Sequence, residues 1–297
     1  MRRLAPLVIL ASACSQVLGV PEVHRGPCDP ESAFVSLAPV VGLDSELGEQ
    51  SAQLSRDELT IVFSRSTIAG TQDAPIPRYG DLYLAHREHL ARGFDAAIPL
   101  DELNTDADER SASLSDDLRT LYFDRRDPTQ RYQIFAATRS APGARFGTAT
   151  PLVLQPRASS DVAPFITSSA LYFASRQADG SASLFTASGG GTSFAIAREL
   201  VSLETLPAPT AYEHPVVSSD GLTIYFSAPP DSASARDIWL ASRPDRAQPF
   251  GPARPVQELN TASAEQPSWI SEDSCRMYFL TNRTGRGFGL WLASRAP

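Results

Sequence analysis

A unit of roughly fifty residues is repeated five times along the chain. Each copy contains a short polar turn, a β-prone run that closes on phenylalanine, a loop, and a further β-prone run. The closing phenylalanines are Phe63, Phe123, Phe173, Phe226 and Phe279. Their spacing of 50 to 60 residues is typical of propeller blades and exceeds the period of most helical solenoids. The repeat therefore constrains the architecture before any functional residue is considered.

Four runs in each copy have the composition of strands. In the first copy, runs 51–55 and 60–63 flank a Ser/Asp-rich turn of the kind that closes a hairpin. A third run follows at 81–85, and fourth runs are clearest at 149–154 and 253–259. No segment of ten residues has helical periodicity. We therefore predict an all-β fold over residues 31–297, a five-bladed β-propeller with four-stranded antiparallel blades.

The two ends of the chain are expected to share one blade. The last copy stops after its third run, and Phe34 and Pro39 have the same spacing as Phe250 and Pro255 in the fourth copy. The run 34–41 should therefore supply the missing outer strand and close the ring. Cys28 and Cys275 remain as a pair once Cys14 is assigned to the leader, and we predict that they form a disulfide. Two unpaired thiols are the alternative.

The N-terminus has the pattern of an export signal. Arg2 and Arg3 precede an apolar run over 4–11, which is followed by Ala-Ser-Ala and then Cys14. Small residues directly before cysteine resemble a bacterial lipobox. We expect a signal peptide over 1–13, lipidation of Cys14, a tether over 14–30, and a lipoprotein of the outer membrane or periplasm. Ordinary cleavage and secretion of a soluble protein is the alternative, and an uncleaved chain is the third.

The charge of the chain narrows the classes of partner. The formal net charge is −8, and every one of the 26 basic residues is arginine. An acidic chain without a basic stripe disfavours binding to nucleic acid, and membrane contact is expected only through the lipid anchor. The absence of lysine excludes Schiff-base and P-loop lysine chemistry.

One copy carries a recognisable repeat motif. Residues 218–226 read Ser-Ser-Asp-Gly-Leu-Thr-Ile-Tyr-Phe and are followed at 237–240 by Asp-Ile-Trp-Leu. This pattern resembles the WD40-like repeat of TolB-type propellers, although only the fourth copy keeps Asp-Gly at the turn. The resemblance implies a non-enzymatic protein of the cell envelope that binds a protein or peptide partner on one face.

An acidic residue opens the first strand of every copy, and the five acids should form a ring at one mouth of the central channel. They are Glu49, Glu109, Asp161, Glu213 and Glu265. Such a ring has the oxygen ligands that Ca²⁺ takes, or it provides a binding rim. Arginines recur just after the second strands and favour simple pairing with the acids: Arg65, Arg125, Arg176 and Arg283. We assign no metal site and no cofactor, because His86 and His89 have neither a helix to align them nor a third ligand.

The fourth copy departs from this pattern. Phe226 is followed at 227–230 by Ser-Ala-Pro-Pro, without an arginine, and Glu213 is flanked by Tyr212 and His214. We therefore expect Glu213 to lack a partner and, with His214, to mark a binding site at the channel mouth. A solvated Glu213 without a ligand is the alternative. No residue is assigned as catalytic.

A carbohydrate-active enzyme is the alternative function, because five-bladed propellers include glycoside hydrolases with carboxylates around the channel. Those enzymes need two acids in different environments, whereas the repeat places the same residue type at the same position in each copy. A purely structural lipoprotein without a ligand is a third possibility.

Overall fold

A computed structural model describes residues 28–43, 48–66, 80–154, 160–200, 211–231, 234–285 and 287–296. These ranges contain 21 strands and no helix, arranged as five antiparallel sheets. The expectations for Cys14 and for the leader lie outside the described residues. The predicted all-β propeller of five blades is confirmed.

The strands of each blade follow one another from the channel outwards. Blade 1 contains β2 (Glu49–Leu54), β3 (Thr60–Ser66), β4 (Gly80–His86) and β5 (Ile98–Pro99). Blade 2 contains β6 (Glu109–Leu114), β7 (Thr120–Arg126), β8 (Tyr132–Thr138) and β9 (Thr150–Pro151). Blade 3 contains β10 (Ser160–Ile166), β11 (Ala170–Arg176), β12 (Ala182–Gly190), β13 (Ser193–Phe194) and β14 (Arg198–Glu199). Blade 4 contains β15 (Glu213–Val217), β16 (Thr223–Ala228), β17 (Asp237–Ser242) and β18 (Arg254–Pro255).

Blade 5 closes the ring as the sequence predicts. It contains β19 (Glu265–Ile270), β20 (Arg276–Thr281), β21 (Gly289–Arg295) and the N-terminal strand β1 (Phe34–Pro39). In the outer pair, Leu37 lies opposite Ala293 and Pro39 lies opposite Trp291. Cys28 and Cys275 form the predicted disulfide, with Cα atoms 5.8 Å apart across a sequence separation of 247 residues.

The outer strands of blades 2 and 4 are shorter than predicted. Runs 149–154 and 253–259 contribute only two ladder residues each, and each pair ends on proline. Pro151 lies opposite Phe135, and Pro255 lies opposite Trp239. Because proline has no N–H to donate, it ends the ladder and blunts the exposed edge of the blade.

Blade 3 differs at its outer edge. Gly189 and Gly190 extend β12 and pair with β13. At Gly189 a side chain is excluded, because a Cβ atom would lie 2.3 Å from the carbonyl oxygen of Ser193 and the φ angle is +144°.

The closing phenylalanines of the repeat form the centre of each blade. All five are fully buried. In blades 1 to 3 each one stacks against an aromatic residue of the neighbouring third strand, as Phe123 does on Phe135 with ring centroids 6.0 Å apart. The strongest repeated signal in the sequence therefore marks the core of the fold.

The channel has two distinct ends, each with a pocket. We call the end where the first strands begin, at the five acids, the acid face. The opposite end, where the hairpins between first and second strands lie, is the turn face. A pocket of about 560 Å³ opens at the acid face and one of about 320 Å³ at the turn face. Between them, beside Pro164, Pro215 and Pro267, the channel is narrowed to a small cavity of about 20 Å³.

Candidate functional site

Three of the five acids are held by the arginine that the repeat predicts. The pairs are Glu49 with Arg65 at 3.4 Å, Glu109 with Arg125 at 2.7 Å, and Glu265 with Arg283 at 3.3 Å. Each guanidinium also lies over aromatic rings of its own blade, as Arg125 does over Phe135 at 4.8 Å. The expected pairing is confirmed in blades 1, 2 and 5.

The carboxylates of Glu109 and Glu265 turn away from the channel. Glu109 accepts hydrogen bonds from the backbone N–H and the hydroxyl of Thr105, and Glu265 accepts the same pair from Thr261. Burial raises the pKa of Glu109, against the opposing effect of the Thr105 hydrogen bonds and Arg125. These carboxylates fix the loop that leads into each first strand and do not line the acid-face pocket.

Glu213 does not lack a partner, contrary to our prediction. Arg176 grips the carboxylate with two nitrogens, Nε to Oε1 and Nη2 to Oε2, the second at 2.9 Å. Arg236, from the loop before β17, approaches Oε2 from its Nη2 at 3.1 Å. Burial alone raises the pKa of Glu213, but these two arginines overcome it and the pKa falls to about 2.

The reach of Arg176 into blade 4 follows from its register. Arg65 and Arg125 follow their closing phenylalanine by two residues, whereas Arg176 follows Phe173 by three. Because side chains alternate across a strand, this shift of one residue moves the arginine to the other face of the sheet. Ser175 takes the usual arginine position and is fully buried. The spacing was visible in the sequence, and it explains why our pairing rule failed for Glu213.

His214 lies beside Glu213 at the wall of the same pocket. Its Nδ1 lies 2.9 Å from the hydroxyl of Ser227. Burial lowers the pKa of His214 to about 3, so the ring is neutral near pH 7. The predicted neighbours Glu213 and His214 therefore both reach the channel mouth, the first as an ion pair and the second as an uncharged ring.

Three first strands carry backbone strain at this pocket. Ser111, Ala163 and His214 each have a φ angle of 53°, a left-handed conformation that residues with a Cβ seldom adopt. All three lie where the pairing of first and second strands shifts register, and all three line the acid-face pocket. Strained bulges of this kind concentrate at functional sites. Because no glycine occupies these positions, the strained conformations could not be predicted from the sequence.

The residue directly after each acid also lines the pocket, and our sequence reasoning identified this position only in blade 4, as His214. These residues are Gln50, Arg110, Val162, His214 and Gln266. The acid itself recurs because it holds the loop, while its neighbour differs in chemistry from blade to blade. In the sequence, this position could have been recognised as the one that varies directly after the recurring acid.

Arg110 is the most constrained of these missed residues. Its Nε donates to Asp124 at 3.2 Å, and its guanidinium carbon lies 3.7 Å from the ring centre of Tyr132. Asp124 is fully buried and also accepts the N–H of Ala163 at 2.9 Å. The side chain is therefore held in place from blades 2 and 3 at the edge of the pocket.

The acid-face pocket is rich in hydrogen-bond donors. Arg110, Arg176 and Arg236 face it together with the amides of Gln50 and Gln266. Glu213 is the single carboxylate among the described residues that line it. Such a pocket suits a ligand with several acceptor groups.

Among the residues that the structure describes, no group of three His, Cys, Asp or Glu side chains is placed to hold a metal ion. The same residues include no helix long and apolar enough to cross a membrane.

Comparison with known proteins gives the fold and not a family. No protein-family model matches the chain, and no curated protein matches it. Among solved structures, a putative TolB from Agrobacterium tumefaciens has a TM-score of 0.51 at 12% identity, covering 88% of this chain and 79% of that chain.

Two carbohydrate-active enzymes are also similar. A GH43_1 enzyme from Xanthomonas citri in complex with xylose has a TM-score of 0.59 at 16% identity, covering 89% of this chain and 90% of that chain. An alpha-L-arabinofuranosidase from Podospora anserina in complex with cellotriose has a TM-score of 0.57 at 10% identity, covering 92% and 99%. At such identities the likeness extends to the fold alone, a β-propeller shared by binding proteins and hydrolases.

Proposed function

We propose that this protein is a non-enzymatic propeller of the cell envelope that binds a protein or peptide partner in its acid-face pocket. The observation that carries the proposal is the state of Glu213, the one described carboxylate lining that pocket. Two arginines already hold it, and its pKa of about 2 keeps it ionised at neutral pH. Donor groups from several blades converge around it, which favours recognition of a ligand over acid–base chemistry.

A carbohydrate-active enzyme of the glycoside hydrolase type is the second candidate. It is favoured by the size of the pocket, about 560 Å³, and by similar solved structures that are glycosidases. Glycosidases in general need one carboxylic acid to donate a proton and a second carboxylate to act as base or nucleophile. Glu213 fails the first requirement, because a group with so low a pKa carries no proton to give.

The disulfide supports an exported location, since such bonds persist in oxidising compartments. Cys275 lies in the hairpin turn between β19 and β20, on the turn face, and the bond fixes Cys28 there.

A crosslinked pull-down from native envelopes tests binding through this pocket. The bait is the full chain as wild type, as Arg236→Gln, and as Arg254→Gln. Arg254 is an exposed arginine of the outer strand β18 and serves as the matched control. We expect one partner to be enriched by the wild type and by Arg254→Gln and to be lost with Arg236→Gln. No enriched protein, or equal enrichment by all three baits, would contradict the proposal.

Hydrolysis assays separate the two candidates. Aryl β-xylosides and aryl α-L-arabinofuranosides are incubated with the wild type and with Glu213→Gln. Binding without catalysis predicts no turnover above buffer for either protein. Turnover by the wild type that disappears in Glu213→Gln would replace the first candidate with the second.

A further inference from the structure

We propose that the turn-face pocket is a second binding site, which accepts a protein segment carrying a large apolar side chain flanked by Lys or Arg. This site is independent of the acid-face pocket, because the narrowed channel lies between the two. The five hairpin turns leave certain side chains out of their own hydrogen bonds, and these side chains line the turn-face pocket.

Four of the five turns share the same two internal hydrogen bonds. A serine hydroxyl donates to the carboxylate two residues later, and the same carboxylate accepts the backbone N–H two residues beyond it. In blade 2 these are Ser115 Oγ to Asp117 at 2.6 Å and the N–H of Arg119 to Asp117 at 3.0 Å. The equivalent hydroxyl–carboxylate pairs are Ser55 with Asp57, Ser218 with Asp220, and Ser271 with Asp273. The pattern is Ser-x-Asp, an Asx-type turn in which the side chain of x has no part.

The released x positions line the pocket. They are Arg56, Asp116, Ser219 and Glu272, together with Ser168 at the equivalent place in blade 3. The residue before each serine or threonine is aliphatic, ends its first strand, and lies beneath them. These residues are Leu54, Leu114, Ile166, Val217 and Ile270. Phe165 and Trp269 complete this apolar floor.

A constant apolar ring beneath a variable polar ring has the anatomy of a recognition site. The floor repeats in character because it also belongs to the core, whereas the turn itself does not require any particular residue at x. Differences among the five x positions are therefore available for selecting a ligand. A volume of about 320 Å³ suits one large side chain and its immediate neighbours.

The charged side chains that line the turn-face pocket determine which sign of charge a ligand should carry. Arg56 and Glu272 form an ion pair with each other, with Nε to Oε2 at 2.7 Å, and so offer no net charge. Asp116 is exposed and forms no ion pair among the described residues, and Asp220 also faces the pocket. A cationic flank beside an apolar anchor complements this arrangement.

Labelled peptides test the proposal on the intact, disulfide-bonded protein. The probes are three capped fluorescein pentapeptides with Gly at both ends and Arg-Leu-Arg, Glu-Leu-Glu or Arg-Gly-Arg between them. Binding is followed by fluorescence anisotropy and by the tryptophan emission of the protein, to which Trp269 contributes from the floor. We expect saturable binding of the Arg-Leu-Arg peptide and at least tenfold weaker binding of the other two. Absence of saturation, or equal binding of all three peptides, would overturn the proposal.

Rim variants locate the binding. Asp116→Asn should weaken the Arg-Leu-Arg peptide about threefold, and Ser168→Asp should tighten it by a similar factor, as expected for exposed charge pairs. Both residues are exposed. Asp106→Asn, an exposed acid in the loop before β6 at the acid face, is the matched control and should have no effect. An unchanged affinity in Asp116→Asn, or an equal loss in Asp106→Asn, would refute the turn-face location.

Discussion

Two residues of blade 4, Glu213 and His214, have strongly shifted pKa values at the acid-face pocket. Glu213 is an ion-pair partner rather than the free acid that the sequence led us to expect. His214 is kept neutral by its surroundings, and its backbone has a left-handed conformation. Each therefore has a pKa in the fold that differs from that in the unfolded chain, which makes their roles measurable through the pH dependence of stability.

His214 should make the protein less stable as the pH falls from 7 to 5. Its pKa is about 3 in the fold and about 6.5 in an unfolded chain. Below pH 6.5 the unfolded chain binds a proton that the fold refuses, so stability is lost towards acid pH. His214→Asn tolerates the same backbone conformation and should reduce this loss by about 2 kcal/mol.

Urea unfolding at pH 7 and pH 5 measures the effect. Glu213 also has a lowered pKa, but its contribution is lost only below about pH 4.5, outside this interval. The same pH dependence in wild type and His214→Asn would show that the pKa of the histidine is the same in the fold as in the unfolded chain.

At the scale of elements, the hairpin turns explain which part of the repeat can vary. The fourth residue of the turn is left-handed in four blades, with φ angles of 61° at Glu58, 60° at Leu118, 70° at Gly221 and 58° at Ser274. Only blade 4 places glycine there. In blades 1, 2 and 5 a residue with a Cβ atom adopts this left-handed conformation, which costs conformational energy. In blade 1 the side chain of that residue makes contacts that offset the cost.

Glu58 compensates for its strain by joining blade 1 to blade 5. It is buried, and its carboxylate accepts hydrogen bonds from Arg276 at 2.7 Å and from the hydroxyl of Tyr278 at 2.9 Å. Arg87 donates to Tyr278 at 2.9 Å and to the Glu58 carbonyl at 2.8 Å. The network spans the seam where the ring closes.

Substitution by glycine should therefore have opposite effects at two equivalent turns. Ser274→Gly relieves a left-handed residue and should raise the free energy of unfolding by roughly 0.5–1 kcal/mol. Glu58→Gly relieves the same strain but leaves Arg87 and Arg276 without their carboxylate. It should lower stability by about 3 kcal/mol or more. Denaturant unfolding of both variants measures these changes in the free energy of unfolding. If Glu58→Gly stabilised the protein, the hydrogen-bond network of Glu58 would not hold blades 1 and 5 together.

The sequence was sufficient for the elements and insufficient for the pockets. Closing phenylalanines, turn residues and the borrowed strand at Phe34 are local patterns, and the structure has them all. Arg236 could not be placed, because it belongs to no repeated position and reaches Glu213 only through the fold of its loop. Arg176 could have been placed, since its offset from Phe173 by one extra residue already implies the opposite face of the sheet.

At the scale of the whole molecule, closure depends on two contacts that bring the chain ends together. The strand β1 pairs with β21, and the disulfide joins Cys28 to the turn that contains Cys275. Both contacts lie in blade 5, so this blade alone joins the two ends of the chain and closes the ring. The same disulfide fixes the face from which the N-terminal segment departs.

Removing the disulfide should weaken the ring. The double variant Cys28→Ser/Cys275→Ser should lose about 2–5 kcal/mol of stability, because the unfolded chain regains the freedom of a long closed loop. Denaturant midpoints of the oxidised wild type, the reduced wild type and the variant are compared. The last two should agree with each other and lie below the first. Equal midpoints for all three would mean that strand pairing alone holds the ring closed.

The central claim is that a partner binds in the acid-face pocket, and site-specific photocrosslinking in native envelopes tests it most directly. The photoreactive residue p-benzoylphenylalanine replaces Phe288 in the pocket wall or Val153, which is 74% exposed on the outer edge of blade 2. We predict one discrete protein adduct from position 288, none from position 153, and loss of the adduct when Arg236→Gln is added. The same adduct from both positions, or none from position 288, would contradict the account.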